Sequence, residues 1–194
     1  MYEMKAEREP KRIPSREECF RLMTEYRMLE NIVEHSVEVA RVALFLSRAL
    51  NGKGQRIDLG LVEAASLLHD LTKAECLVTK EDHAKTGCVL LNAMGYERVA
   101  EVVGDHIVLS RAKPPLVVSE EEVVNYADKR VQHDKIVSLD ERFRDLLERY
   151  GKGGRVSAEW KRLMQATFEI EAKIFSILDI DPNDLEHLSR DCEV

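Results

Sequence analysis

The chain is poor in aromatic residues, 6% of 194, and nowhere interleaves them with basic ones. A stacking platform for single-stranded nucleic acid is therefore missing. Positive charge is in deficit as well, with 29 Lys and Arg against 36 Asp and Glu and a formal net charge of -7. That balance argues against binding a large nucleic acid by electrostatics alone. The four cysteines, Cys19, Cys76, Cys88 and Cys192, have neither zinc-knuckle nor redox spacing, which predicts reduced thiols in a cytoplasmic setting. No apolar run approaches the ~20 residues that span a bilayer, and the opening residues show no leader pattern. A soluble, cytoplasmic protein without membrane contact is expected. Glycine-rich phosphate loops, a Ser/His/Asp nucleophile set and the paired carboxylates of a glycosidase are also lacking.

What is present is helical periodicity. Residues 1–14 are charged, carry Pro10 and Pro14, and read as a loose arm. Ser15 with Glu18 forms a capping box before Phe20, Met23 and Met28. A second helix is expected from Asn31 to Leu50, stopped by Asn51-Gly52-Lys53-Gly54, and a third is capped by Asp58. Two shorter helices, Glu81 to Met94 and Glu97 to Val108, precede an irregular Ser110–Val118 segment containing Pro114-Pro115. Ser119 and Glu122 make another capping box, and further helices follow from Ser138 to Tyr150 and from Ser157 to Leu178. Sustained period-2 alternation and internal repeats are absent, so the fold class is all-α, a single-domain helical bundle. The division is an arm at 1–14, a helical domain at 15–150, and a Gly-rich linker with a C-terminal helix at 151–194 that packs on the same domain.

Three apolar stripes carry polar residues. The second helix has Ile32, His35, Val39, Val42 and Leu46 on one face; the third passes through Val62 and Ala65 to His69, followed by Asp70; the later helix aligns Val124, Asp128 and Val131. Any one of these alone reads equally well as a buried side chain bonded to backbone. Together they do not, because burying an ionised Asp without a partner costs several kcal/mol and these stripes offer no Lys or Arg. A divalent cation satisfies all of them.

The order His35, then His69-Asp70, then Asp128 resembles the H…HD…D motif of the HD-domain superfamily of metal-dependent phosphohydrolases, over roughly residues 25–135. Leu67-Leu68-His69-Asp70-Leu71-Thr72-Lys73 is similar to that family's HDIGK stretch, departing at Leu71 and Thr72, and Asn125-Tyr126-Ala127-Asp128-Lys129 is similar to its ADK-type segment. The cyclic-dinucleotide HD-GYP branch fits less well, since Ile107 follows His106 and Glu97 follows Gly95-Tyr96.

The resemblance implies an HD-type bundle in which His35, His69, Asp70 and Asp128 bind a divalent metal (manganese, iron, zinc, nickel, cobalt or magnesium), with Asp70 able to bridge to a second ion. His83 and His106 are candidates for that second metal or for the substrate phosphate. Asp70 and Lys73 are the candidate catalytic residues, and Lys73, Arg111 and Lys129 the candidate substrate contacts. His133-Asp134 repeats the letters of the motif without its context and is expected to be structural or solvent-facing.

The implied activity is hydrolysis of a phosphate ester, with a small phosphorylated partner, a nucleotide or related metabolite, as substrate. A phosphodiesterase or ribonuclease acting on RNA or a cyclic nucleotide, and a non-catalytic nucleotide-sensing module, are the alternatives. Homo-oligomerisation is left open.

Overall fold

The computed structural model describes residues 12–110, 114–150 and 157–187. Most of the expected arm, Arg111 and Lys113, the glycine-rich 151–154 turn and Cys192 lie outside the described residues.

Capping chemistry decides where most helices begin. The Ser15 hydroxyl accepts from the Glu18 amide to open α1 (Arg16–Glu25), and Asp58 accepts from Leu61 to open α3 (Leu59–Leu68). Asp82 accepts from Ala84 and Lys85 at α5 (His83–Ala93), and Ser119 with Glu122 completes a reciprocal box at α7 (Glu120–Arg130). Ser157 caps α9 (Ala158–Leu178). The other helices are α2 (Glu30–Gly52), α4 (Lys73–Thr79), α6 (Glu97–Asp105) and α8 (Leu139–Tyr150), and a 3-10 turn covers Pro182–His187. No helix among the described residues is long and apolar enough to cross a membrane.

Several boundaries differ from the sequence expectation. α2 continues through Gly52 because Asn51 folds its amide onto Ile57, donating to the carbonyl at 2.9 Å and accepting from the amide at 2.8 Å. The chain turns only after that, at Gly54 with φ +89°. α4 was not expected: seven residues are too short for a repeating stripe, and its cap residue Thr72 makes no side-chain cap bond. After α7 the backbone leaves the helix for a hairpin of β1 (Val131–Gln132) and β2 (Lys135–Ile136), pairing Val131 with Ile136 and Gln132 with Lys135. Two-residue strands are below the length at which alternation is readable. The architecture is an all-α bundle with this one minimal hairpin among the described residues.

α2 packs along α3 and α7, and its stripe of Ile32, His35, Val39, Val42 and Leu46 is buried throughout. α7 is buried on every side from Glu121 to Arg130, not only along the Val124–Asp128 face. α9 makes this tolerable by bringing polar partners: Lys173 donates to both Glu122 carboxylate oxygens at 2.8 Å, and Tyr126 donates to Glu171 at 2.7 Å. α5 and α6 approach closely at glycine, since a Cβ on Gly87 would stand 3.2 Å from Val103 Cγ1. That contact brings the start of α5, at His83, beside the end of α6, at His106.

Candidate metal centre

Six residues from five helices and their ends converge at one cleft of about 480 Å³, five of them on its lining and His69 fully buried against Asp70. His35 comes from α2, His69 and Asp70 from the end of α3, His83 from the start of α5, His106 from just past α6, and Asp128 from α7.

The imidazoles are oriented by main chain. His69 Nδ1 donates to the Ser66 carbonyl at 2.7 Å, and His106 Nδ1 donates to the Val103 carbonyl at 2.7 Å. His35 Nδ1 donates to the His133 carbonyl at 2.9 Å. A carbonyl only accepts, so Nδ1 carries the hydrogen in all three rings and Nε2 faces the cleft. Those Nε2 atoms point at carboxylates: His35 lies 3.1 Å from Asp128 Oδ1, and His69 lies 3.6 Å from the same oxygen and 3.4 Å from Asp70 Oδ2. A ring lone pair facing an anionic oxygen at such distances is repulsive unless a proton or a cation stands between them. His69 Nε2 and Asp70 Oδ1 are buried without a hydrogen-bond partner among the described residues. The donor set therefore fits a divalent cation, both in ligand type and in the tautomer imposed from behind.

The ligand atoms sort into two groups. Those of His35, His69 and Asp70 all lie within 4.8 Å of one another, as do those of Asp70, His83 and His106. Asp128 Oδ1 contacts both imidazoles of the first group. Asp70 belongs to both, because His69 lies near its Oδ2 while His83 Nε2 stands 3.1 Å and His106 Nε2 3.8 Å from its Oδ1. The histidine rings form a continuous run, with centroids 5.4 Å apart for His35–His69, 5.0 Å for His69–His106 and 5.2 Å for His83–His106.

One premise of the sequence argument is corrected. The buried carboxylates do have cationic partners: Lys73 Nζ donates to Asp70 Oδ2 at 2.5 Å, and Lys129 Nζ donates to Asp128 Oδ2 at 2.8 Å and to the His106 carbonyl at 2.9 Å. Helical spacing turns the Lys129 backbone away from the Asp128 face, but its four-carbon stem carries the ammonium back. The Nε2 atoms aimed at carboxylates, rather than unpaired carboxylates, are what call for a proton or an ion. Lys73 lies at the cleft mouth with 30% of its side chain exposed, whereas Lys129 is buried in the wall. Arg130, its neighbour, is turned elsewhere and donates to Tyr126 and to the Val137 and Pro182 carbonyls.

Protonation follows this arrangement. Burial opposes a charge on His69, but Asp70 and Asp128 outweigh it and raise the ring to about 9. For His106, burial and the charge on His69 push the ring down to about 3. Burial also opposes ionisation of the two carboxylates. His69 and Lys73 nevertheless hold Asp70, and Lys129, His35 and His69 hold Asp128, well below the usual range.

The sequence did not single out every participant. The His133 carbonyl orients His35 from a hairpin tip where φ is +57°. Asn125 donates to the carbonyls of Asp105, His106 and Ile107 at 3.0–3.3 Å and fixes the chain around His106. Arg142 and Arg149 on α8 and Trp160 on α9 line the same cleft. Their i, i+7 spacing with Leu146 between them was a readable signal for a shared face. Arg111, an expected substrate contact, lies outside the described residues.

The model of the HD domain family matches residues 32–180, from α2 through α9. An uncharacterized protein of Methanocaldococcus jannaschii is 29% identical over 136 residues, 63% of this chain and 79% of that protein. A solved structure described as a predicted HD superfamily hydrolase, from an uncultured Thermotogales bacterium, is 18% identical with a TM-score of 0.48, covering 85% of this chain and 91% of that one. The matched stretch contains all six convergent residues on an all-α scaffold, and the chain belongs to the HD domain family.

Proposed function

We propose that this protein hydrolyses a phosphate ester of a small metabolite, a nucleotide or a close relative, in a reaction that depends on a divalent metal. The observation that carries the reading is the set of three imidazoles whose Nδ1 atoms are tied to carbonyls and whose Nε2 atoms face carboxylates. His35, His69, Asp70 and Asp128 would hold the ion, and Asp70, His83 and His106 would hold a second or meet the phosphate. When bound, such an ion lowers the pKa of water from near 16 toward about 7 and offsets charge on a phosphoryl oxygen. The chain supplies the rest: Lys73 brings a cation to the mouth while keeping Asp70 ionised, Lys129 keeps Asp128 ionised from behind, and the carbonyls of Ser66, Val103 and His133 stop the rings from turning.

The test is metal analysis of the purified protein followed by a phosphomonoester panel with manganese, iron, cobalt, nickel, zinc and magnesium. His69→Ala and Asp70→Ala are expected to lose bound metal and phosphate release together, with helical content preserved by circular dichroism. Unchanged metal content in both variants overturns the ligand assignment; full metal content with no hydrolysis of any phosphoester overturns the reaction.

A further inference from the structure

The wall of the cleft formed by α8 and α9 plays no part in holding an ion. On α8, Arg142, Leu146 and Arg149 share a face, and on α9, Trp160 and Leu163 do. Arg142 is only 8% exposed, and its Nε is buried without a hydrogen-bond partner among the described residues. Asp145 accepts from both Arg142 Nη1, at 3.4 Å, and Arg149 Nη2. A single carboxylate thus steadies two guanidinium groups. A buried guanidinium edge with an unused donor is costly unless something occupies it. Ordinary core packing does not require an arginine there, because Leu146 and Leu163 fill the same wall with apolar side chains.

From this we infer that the α8–α9 wall recognises the remote part of the substrate, with Arg142 taking a second anionic group and Trp160 taking a planar heterocycle. This rests on the proposed hydrolysis only for the group bound at the other end of the cleft. Arginine matches phosphate oxygens with a planar fork of donors, and indole is the strongest of the aromatic faces for stacking. The substrate class is therefore a nucleotide carrying at least one phosphate besides the one that meets His69 and Asp70. A monophosphate would use the indole and leave Arg142 without a second anion.

Trp160 is the chain's single tryptophan, so its fluorescence reports occupancy of this wall without any need for turnover. The experiment titrates the full chain, treated with EDTA and separately with magnesium, with the mono- and diphosphates of adenosine, guanosine, cytidine and uridine, and with para-nitrophenyl phosphate. Saturable quenching is expected with at least one nucleoside, its diphosphate binding at least about tenfold more tightly than its monophosphate, as befits one charge-assisted hydrogen-bond pair. Arg142→Gln should collapse that preference to within about threefold while leaving the monophosphate quench in place. If Arg142→Gln does not fold, Asp145→Asn removes the counter-charge, and diphosphate binding should tighten.

Absence of quenching by every nucleotide, a preference unchanged in Arg142→Gln, or unchanged diphosphate affinity in Asp145→Asn overturns the assignment. Hydrolysis of para-nitrophenyl phosphate without nucleotide quenching would retain the reaction and sink this inference. Quenching with the predicted preference but no hydrolysis would do the reverse.

Discussion

Replacing Lys129 by Met separates the contribution of its ammonium from that of the proposed ion at Asp128. Lys129 is 4% exposed, and its ammonium donates to Asp128 Oδ2 at 2.8 Å and to the His106 carbonyl at 2.9 Å. Methionine keeps the stem and volume but removes both hydrogen bonds and leaves a buried carboxylate without its cation. Breaking one side of a buried pair costs about 3–5 kcal/mol, a large share of the roughly 5–15 kcal/mol that holds a domain folded.

An ion beside Asp128 Oδ1 supplies the missing charge. Saturation at about a thousand times Kd adds about 4 kcal/mol to any protein that binds only when folded, and the variant, having lost a competing positive charge, should bind the ion more tightly than the parent. Urea unfolding with and without metal measures both quantities. The expected result is a loss of several kcal/mol in the metal-free protein that shrinks on metal saturation. Adding Asp128→Asn to Lys129→Met should destabilise less than the sum of the two single changes, because the stranded charge is then gone. A metal-free loss below about 1 kcal/mol, the range of an exposed ion pair, or a loss that metal leaves unchanged, refutes the reasoning.

Metal uptake should release one proton. With His69 raised to about 9 in the metal-free state, an ion at Nε2 must displace that proton, and apparent affinity should fall about tenfold per pH unit below 9; calorimetry at pH 7 in buffers of different ionisation enthalpy that finds no proton release contradicts it. Because the folded value is raised, the His69 proton contributes metal-free stability fully below its ordinary value of 6.5, and that contribution fades as pH rises through about 9. His133→Gly keeps the carbonyl that orients His35 and relieves a φ of +57°, so metal content should be unchanged and stability equal or up to about 1 kcal/mol higher; lost metal would assign a role to the ring. Gly87→Ala puts a methyl 3.2 Å from Val103 Cγ1 and should cost about 1–3 kcal/mol from overpacking, with weaker metal binding at Asp70, His83 and His106 than at His35 and His69, read as a change in bound stoichiometry.

The residues that meet at the cleft were legible because each stood at or beside core spacing on a helix where apolar neighbours fixed its direction. His35 between Ile32 and Val39, and Asp128 four residues after Val124, needed only the 3.6-residue period. Lys73, three residues after Asp70, was legible by that rule, but Lys129 was not, since the rule follows Cβ directions and Lys129 reaches Asp128 through a flexible stem. Support from the His133 carbonyl left no side-chain signature at all. The complete burial of α7 depends on Glu171 and Lys173, more than forty residues further along the chain, which no local pattern couples to it. α4 was missed because seven residues hold too few turns to repeat. The α8–α9 wall did show a shared face, but nothing in its spacing distinguished arginines lining a cleft from arginines in solvent.

His69 and His106 each stand at the C-terminal cap of a helix and donate to the carbonyl three residues back. Those carbonyls belong to the last turn, where helical amides run out, although the Val103 carbonyl also accepts the His106 amide at 3.4 Å. The ring hydrogen bond therefore adds to the closing of the helix while it aims the ring. Fraying at the end of α3 or α6 swings an imidazole out of register, and an ion held on Nε2 would anchor the final turn against opening. With an ion on these rings, amide exchange at the two helix ends would be coupled to metal dissociation.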